Sequence, residues 1–228
     1  MNAPVLKYGE RIDDLKYKSL RIIQNPNMYC FTEDSVLLSR FASLKPNERC
    51  IDFGTGSGAI ALLINAHMGA RVVGIDIQED IIDMANRSKA MNDQDKVDFF
   101  TMDIRDAYKT FNGFFDAAVC NPPYFRGHSM SKNESRCLST HLSDLSIIDI
   151  CLAMKRVLKF GARCYFVYPV SELSDIFDAL RKNSFEIKRL TLIRASEAAN
   201  PRVALIMAKL GGNVGMIVEN KIAREILI

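Results

Sequence analysis

The sequence predicts a doubly wound α/β fold: a seven-stranded, mostly parallel sheet with an antiparallel hairpin at one edge and helices on both faces. Three observations lead there. Short β-branched or aromatic runs alternate with helical patterns from Cys50 onward. Strands joined through helices make right-handed crossovers and are covered on both faces, so a parallel sheet follows. Only Ser196-Glu197-Ala198-Ala199-Asn200-Pro201 separates the last two strand-like runs, too short for a parallel crossover, so these two form the hairpin.

Taken in order, residues 1–45 form an N-terminal extension of helical or lid character, followed by one domain over 46–228. Within the extension, LLSRFASL (37–44) reads as the tail of an amphipathic helix, and Phe31-Thr32-Glu33-Asp34 offers an N-cap and carboxylates for its first turn. Strands are then expected at 49–53, 70–77, 97–104, 114–121, 162–169, 185–195 and 202–210. Helices are expected over 58–68, 79–91, 142–158 and 171–183. The Gly211-Gly212 pair and the tail MIVENKIAREILI read as an edge element without an assigned purpose. There is no internal repeat or low-complexity tract.

Composition removes several classes. An apolar share of 48% and a charged share of 25% are average for globular proteins, which sets aside disorder and coiled coil. The longest apolar runs fall well short of the roughly 20 residues that cross a bilayer, and the opening 21 residues lack a signal-like core. A cytoplasmic protein with no membrane partner is expected. The six cysteines, Cys30, Cys50, Cys120, Cys137, Cys151 and Cys164, form no CxxC pair and read as structural thiols. His67, His128 and His141 are too dispersed for a metal site, so no metal is expected. Net charge is only +3, but between Phe125 and Arg163 seven Lys/Arg face three acids, a basic segment that suits either phosphate contacts or a solvated helix face.

The chemistry-bearing residues sit at expected strand ends. Asp52-Phe53-Gly54-Thr55-Gly56-Ser57-Gly58 links the first sheet strand to a helix, the place where open α/β sheets bind ligands. Read as Gly54-x-Gly56-x-x-Ala59 it also satisfies a loose dinucleotide fingerprint. Asp76, ending the next strand, can accept both hydroxyls of a ribose, which serves a nicotinamide or a methyl-donor cofactor equally. Asp103 can accept an adenine amine while Ile77 and Ile104 sandwich the ring; alternatively, these aspartates cap turns.

The fourth strand ends on Asn121-Pro122-Pro123-Tyr124. Proline fixes φ and lacks a donor, so the Asn121 amide and the Pro122 carbonyl present two oxygens in set directions, and the Tyr124 ring can stack on a planar base or amide. Two converging acceptors suit an NH2 group. Holding both of its protons draws the nitrogen lone pair out of conjugation and aims it at an electrophilic methyl. A prolyl turn with an aromatic staple is the plain structural alternative.

The set DFGTGSG, GIDI, MDI and NPPY resembles class I methyltransferases, a Rossmann-like fold, that use S-adenosylmethionine (SAM) to modify conjugated amines. More closely, Glu10-Arg11-Ile12-Asp13-Asp14-Leu15, Phe31-Thr32-Glu33-Asp34-Ser35-Val36-Leu37-Leu38, NPPYFR and Gly211-Gly212 are similar to the bacterial tRNA1(Val) adenine-N6 methyltransferases, over nearly the whole chain. That resemblance implies methylation of N6 on the adenine beside the anticodon. It places SAM on Asp52, Gly54, Thr55, Gly56, Gly58, Asp76, Ile77, Asp103, Ile104 and Asn121. Asn121, Pro122 and Tyr124 would grip the base, and Pro123, Phe125, Arg126, Lys132 and Arg136 would contact the RNA. The chain departs from the family in carrying Ser135-Arg136-Cys137 where Ala-Arg-His is usual. The expected partner is the tRNA anticodon arm, bound by a monomer or weak dimer. Three other readings stay open: a protein glutamine N5-methyltransferase using the same clamp, an NAD(P)-dependent oxidoreductase, and a catalytically silent RNA-binding module.

Overall fold

The computed structural model describes residues 5–122 and 145–227. The chain opens with a two-stranded antiparallel hairpin, β1 (Arg11–Asp14) and β2 (Arg21–Gln24), then α1 (Glu33–Phe41). There follow β3 (Arg49–Phe53), α2 (Ala59–Met68), β4 (Arg71–Asp76), α3 (Glu79–Met91) and β5 (Val97–Thr101). A 3-10 turn at Ile104–Asp106 and a one-turn α4 (Tyr108–Phe111) lead into β6 (Phe115–Cys120). Beyond the undescribed stretch come α5 (Ile147–Val157), β7 (Leu158–Pro169), α6 (Leu173–Lys182), β8 (Phe185–Arg194), β9 (Val203–Leu210), β10 (Ile217–Ile222) and α7 (Arg224–Leu227).

Among the described residues the main sheet has eight strands in the order β10-β8-β9-β7-β6-β3-β4-β5. From β7 to β5 all neighbours are parallel, β9 runs antiparallel to β7 and β8, and β10 is parallel to β8. The seven expected strands are all present and the hairpin is β8–β9. The eighth, β10, lies outside it, so the hairpin is covered by one further strand. Half of the β10 residues are exposed and only Ile222 is buried, so backbone pairing to β8 rather than an apolar pattern defines it.

Alternation along the strands divides the core in two. Cys50, Ala117, Val119, Tyr165, Val167 and Leu205 face a layer containing α1, α2 and the turn of the β1–β2 hairpin. Ile51, Phe53, Ala118, Cys120, Phe166 and Ile206 face α5 and α6. The expected helix in the extension is α1, with Glu33 and Asp34 in its first turn; Thr32 holds the N-cap position but its side chain bonds nothing in the helix. The hairpin ahead of it departs from a purely helical extension. It is tied to α3 by Arg87, which donates to both oxygens of Glu10 (2.6 and 2.7 Å) and to Asp83 (2.7 and 2.9 Å).

Register positions the site. Phe53 pairs with both Ile75 and Cys120, and Asp76 pairs with Thr101. The carboxyl ends of β5, β4, β3 and β6 are therefore level, and the segments that leave them emerge along one rim.

Candidate active site at the carboxyl ends of the parallel strands

The loop after β3 turns on glycines in the left-handed region. Gly54 has φ +67°, and a methyl group built there would meet nothing within 4 Å, so the space against the loop is open to a ligand. Gly58 has φ +92°, and a Cβ there would come within 2.5 Å of the Phe99 ring, so the turn into α2 admits no side chain. The Thr55 amide donates to the Ile75 carbonyl (3.0 Å), pinning the loop to the neighbouring strand.

Three carboxylates at successive strand ends have three environments. Asp52 is fully buried; Thr55 Oγ1 donates to its Oδ2 (2.6 Å), and Oδ1 has no hydrogen-bond partner among the described residues. Burial pushes its pKa up to about 7, against the Thr55 bond, with the nearby Asp76 charge adding to the rise. Asp76 accepts from the Gly56 amide (3.1 Å) and the Gln78 amide (3.0 Å); desolvation still raises its pKa, opposed by those two donors. Asp103 is gripped by Arg105, whose Nη2 lies 2.5 Å away and whose Nε is 3.0 and 3.1 Å from the two oxygens. That side-chain pairing holds the Asp103 carboxyl below its ordinary value. Ile77 is exposed and Ile104 half-buried beside it in the rim.

At the end of β6, Asn121 is half-buried and Pro122 buried. Asn121 Nδ2 donates to Tyr29 Oη and to Ser35 Oγ, each at 3.3 Å. The Tyr29 ring also covers the loop, since a Cβ on Gly56 would lie 3.8 Å from Tyr29 Cδ1. Thus the rim brings together Asp52, Gly54, Thr55, Gly56, Gly58, Asp76, Ile77, Asp103, Ile104, Asn121 and Pro122. Pro123, Tyr124, Phe125, Arg126, Lys132 and Arg136 lie outside the described residues. Tyr29 and Ser35 did not figure among the expected site residues: 92 and 86 positions separate them from Asn121. Their only sequence signal is their place in and beside the Phe31–Leu38 block.

A cavity of about 500 Å³ opens at the other end of the sheet, lined by Arg49, Arg71, Lys96, Phe100 and Phe114 among others. Arg49 and Arg71 begin β3 and β4, so it lies on the amino side, away from the loop. Among the described residues no group of three His, Cys, Asp or Glu could hold a metal, and no helix is long and apolar enough to cross a membrane. The described cysteines are free, with Cys50, Cys120, Cys151 and Cys164 buried.

A left-handed glycine turn with open space beside it, a carboxylate at each of three strand ends and the Asn121-Pro122 pair at the fourth fit a nucleoside cofactor. The model of a methyltransferase domain matches residues 44–223. This chain belongs to that methyltransferase family. A tRNA1(Val) (adenine(37)-N6)-methyltransferase of Shewanella sediminis is 24% identical over 176 residues, 74% of this chain and 71% of the relative. One of the same name from Parabacteroides distasonis is 27% identical over 174 residues, 76% and 73% of the two chains. Among solved structures, a predicted O-methyltransferase of Agrobacterium tumefaciens superposes with a TM-score of 0.68 at 17% identity, covering 83% of this methyltransferase and 86% of that chain. At that identity the likeness speaks to the fold.

Proposed function

We propose that this methyltransferase transfers a methyl group from SAM to the exocyclic N6 of an adenine in tRNA, adenine 37 beside the anticodon of tRNA1(Val), in the cytoplasm. The observation that carries the reading is the Asn121-Pro122 pair at the end of β6, level with the glycine loop at the end of β3. The relatives' names support the choice of tRNA.

Bound in the rim, SAM supplies an electrophilic methyl group on a sulfonium. Asp52, Gly54, Thr55, Gly56 and Gly58 shape the loop side of its site, Asp76 takes the ribose hydroxyls, and Asp103 with Ile77 and Ile104 takes the adenine. For the substrate, Asn121 Oδ1 and the Pro122 carbonyl accept the two N6 hydrogens. This orients the nitrogen lone pair and stabilises the positive charge that develops on it. No strong general base is required, because the nitrogen can lose its proton to water after transfer. Tyr124 stacks on the base after it is turned outward, Pro123 and Phe125 contact the RNA, and Arg126, Lys132 and Arg136 hold backbone phosphates.

The test is incubation with labelled SAM and unmodified total tRNA, with protein substrates in a parallel reaction. Label should enter tRNA as N6-methyladenine. Asn121→Ala should lower that rate by about 100-fold or more, the cost of losing one preorganised acceptor, while SAM binding persists. Full activity in Asn121→Ala would refute the clamp, and label confined to protein would refute the RNA substrate.

A further inference from the structure

We infer that Tyr29 and Ser35 are positioning residues for this reaction: by accepting from the Asn121 amide nitrogen, their hydroxyls favour the orientation that leaves its oxygen for the substrate amine. This rests on the amine-clamp reading above, but not on which molecule carries the amine.

An asparagine amide is a donor on one side and an acceptor on the other, and a half-turn about its terminal torsion exchanges the two. The reverse orientation would present NH2 to NH2 and repel the substrate. In this chain both Nδ2 hydrogens are committed, one to Tyr29 Oη and one to Ser35 Oγ, each at 3.3 Å. Among the described residues nothing donates to Oδ1.

The two hydroxyls come from opposite sides of a short connection, the loop before α1 and the first turn of α1, and both are anchored. Ser35 is 3% exposed. The Tyr29 ring rests over Gly56, and the preceding hairpin is bound to the same loop through Gln24, whose side chain lies 3.1 Å from Ser57 Oγ. Next to Ser35, buried Asp34 receives Arg202 Nη2 at 3.0 Å. The extension is thereby fixed to the glycine loop and to Asn121 at once, so the amide orientation is set before the substrate arrives, as preorganised catalysis requires.

Tyr29→Phe keeps the ring over Gly56 and removes only the hydroxyl; Ser35→Ala removes the other acceptor. With the acceptor molecule that the wild type methylates, each should lower kcat by roughly tenfold, the worth of one net hydrogen bond. KM for that molecule and the Kd for SAM should change less than about twofold. Asn121→Asp provides an internal control, because a carboxylate offers an oxygen in either orientation; in that background Tyr29→Phe should cost less than threefold. A measurement without cofactor completes the test. In ¹⁵N-labelled protein the Asn121 side-chain NH2 signals, identified by their loss in Asn121→Asp, should move toward free-amide positions in the Tyr29→Phe, Ser35→Ala double variant. Unchanged NH2 signals, or a wild-type kcat in both single variants, would overturn the inference. If the wild type methylates protein rather than tRNA, only the RNA reading above falls.

Discussion

The two halves of the sheet solve different problems. In β5, β4, β3 and β6 a polar side chain lies within two residues of each strand end at the rim: Asp103, Asp76, Asp52 and Asn121. There the chain adopts left-handed turns, buries a carboxylate with one oxygen unpaired and leaves space beside Gly54. In β7, β9, β8 and β10 Thr191 donates to Glu219 (2.8 Å) and Tyr165 to the Ser43 carbonyl (2.9 Å), while the buried Nε atoms of Arg189 and Arg194 have no hydrogen-bond partner among the described residues. The rest of that half is apolar packing around residues such as Phe166 and Ile206, both fully buried. One half carries the glycine loop and the strand-end carboxylates beside open space, and the other supplies the packing that holds the first in place.

The sharpest way to break the first half is Gly58→Ala. Its Cβ would sit 2.5 Å from Phe99 Cζ at a φ that side chains resist, so the loop must shift. SAM affinity measured by titration calorimetry should fall by about 100-fold or more, close to 3 kcal/mol. In the second half, Ile206→Ala should cost about 2–5 kcal/mol in urea unfolding, yet leave kcat per folded molecule within about twofold. A tenfold loss of kcat in Ile206→Ala under folding conditions would dissolve the distinction between the halves.

How legible each half was follows the same physics. Strands β3 to β9 could be read because a sheet covered on both faces forces nearly continuous apolar runs such as CYFVYP, and the glycine loop could be read because few residue types adopt that geometry. The strand β10 could not, since its exposed Ile217, Val218 and Asn220 show no burial period. Nor could the β1–β2 hairpin. Its turn places Lys16, Lys18 and Ser19 at positive φ, where Gly or Asn is the usual signal. The Tyr29–Asn121 and Ser35–Asn121 contacts were hidden for a third reason: no local pattern encodes a bond across some ninety residues, and only the packing of α1 on the sheet creates it. The aspartates were recognisable as strand-end carboxylates but not their protonation, because Asp52 differs from Asp103 only in what surrounds it.

That difference gives the smallest and most specific prediction. Burial raises the folded pKa of Asp52 to about 7, whereas an unfolded aspartate titrates near 4. Between those values the folded state binds the extra proton, so stability must fall as pH rises from about 4 to 7 and level off above. Integrated over the window, the loss attributable to this group is about 2–4 kcal/mol. Asp52→Asn keeps an acceptor for the Thr55 hydroxyl and cannot ionise. Its stability should exceed that of the wild type at pH 8 by up to that amount and converge with it near pH 4, as read from denaturant midpoints across the range. A wild-type and variant gap that stays constant with pH would mean that Asp52 ionises freely, and that the rim stores no electrostatic strain for a ligand to relieve.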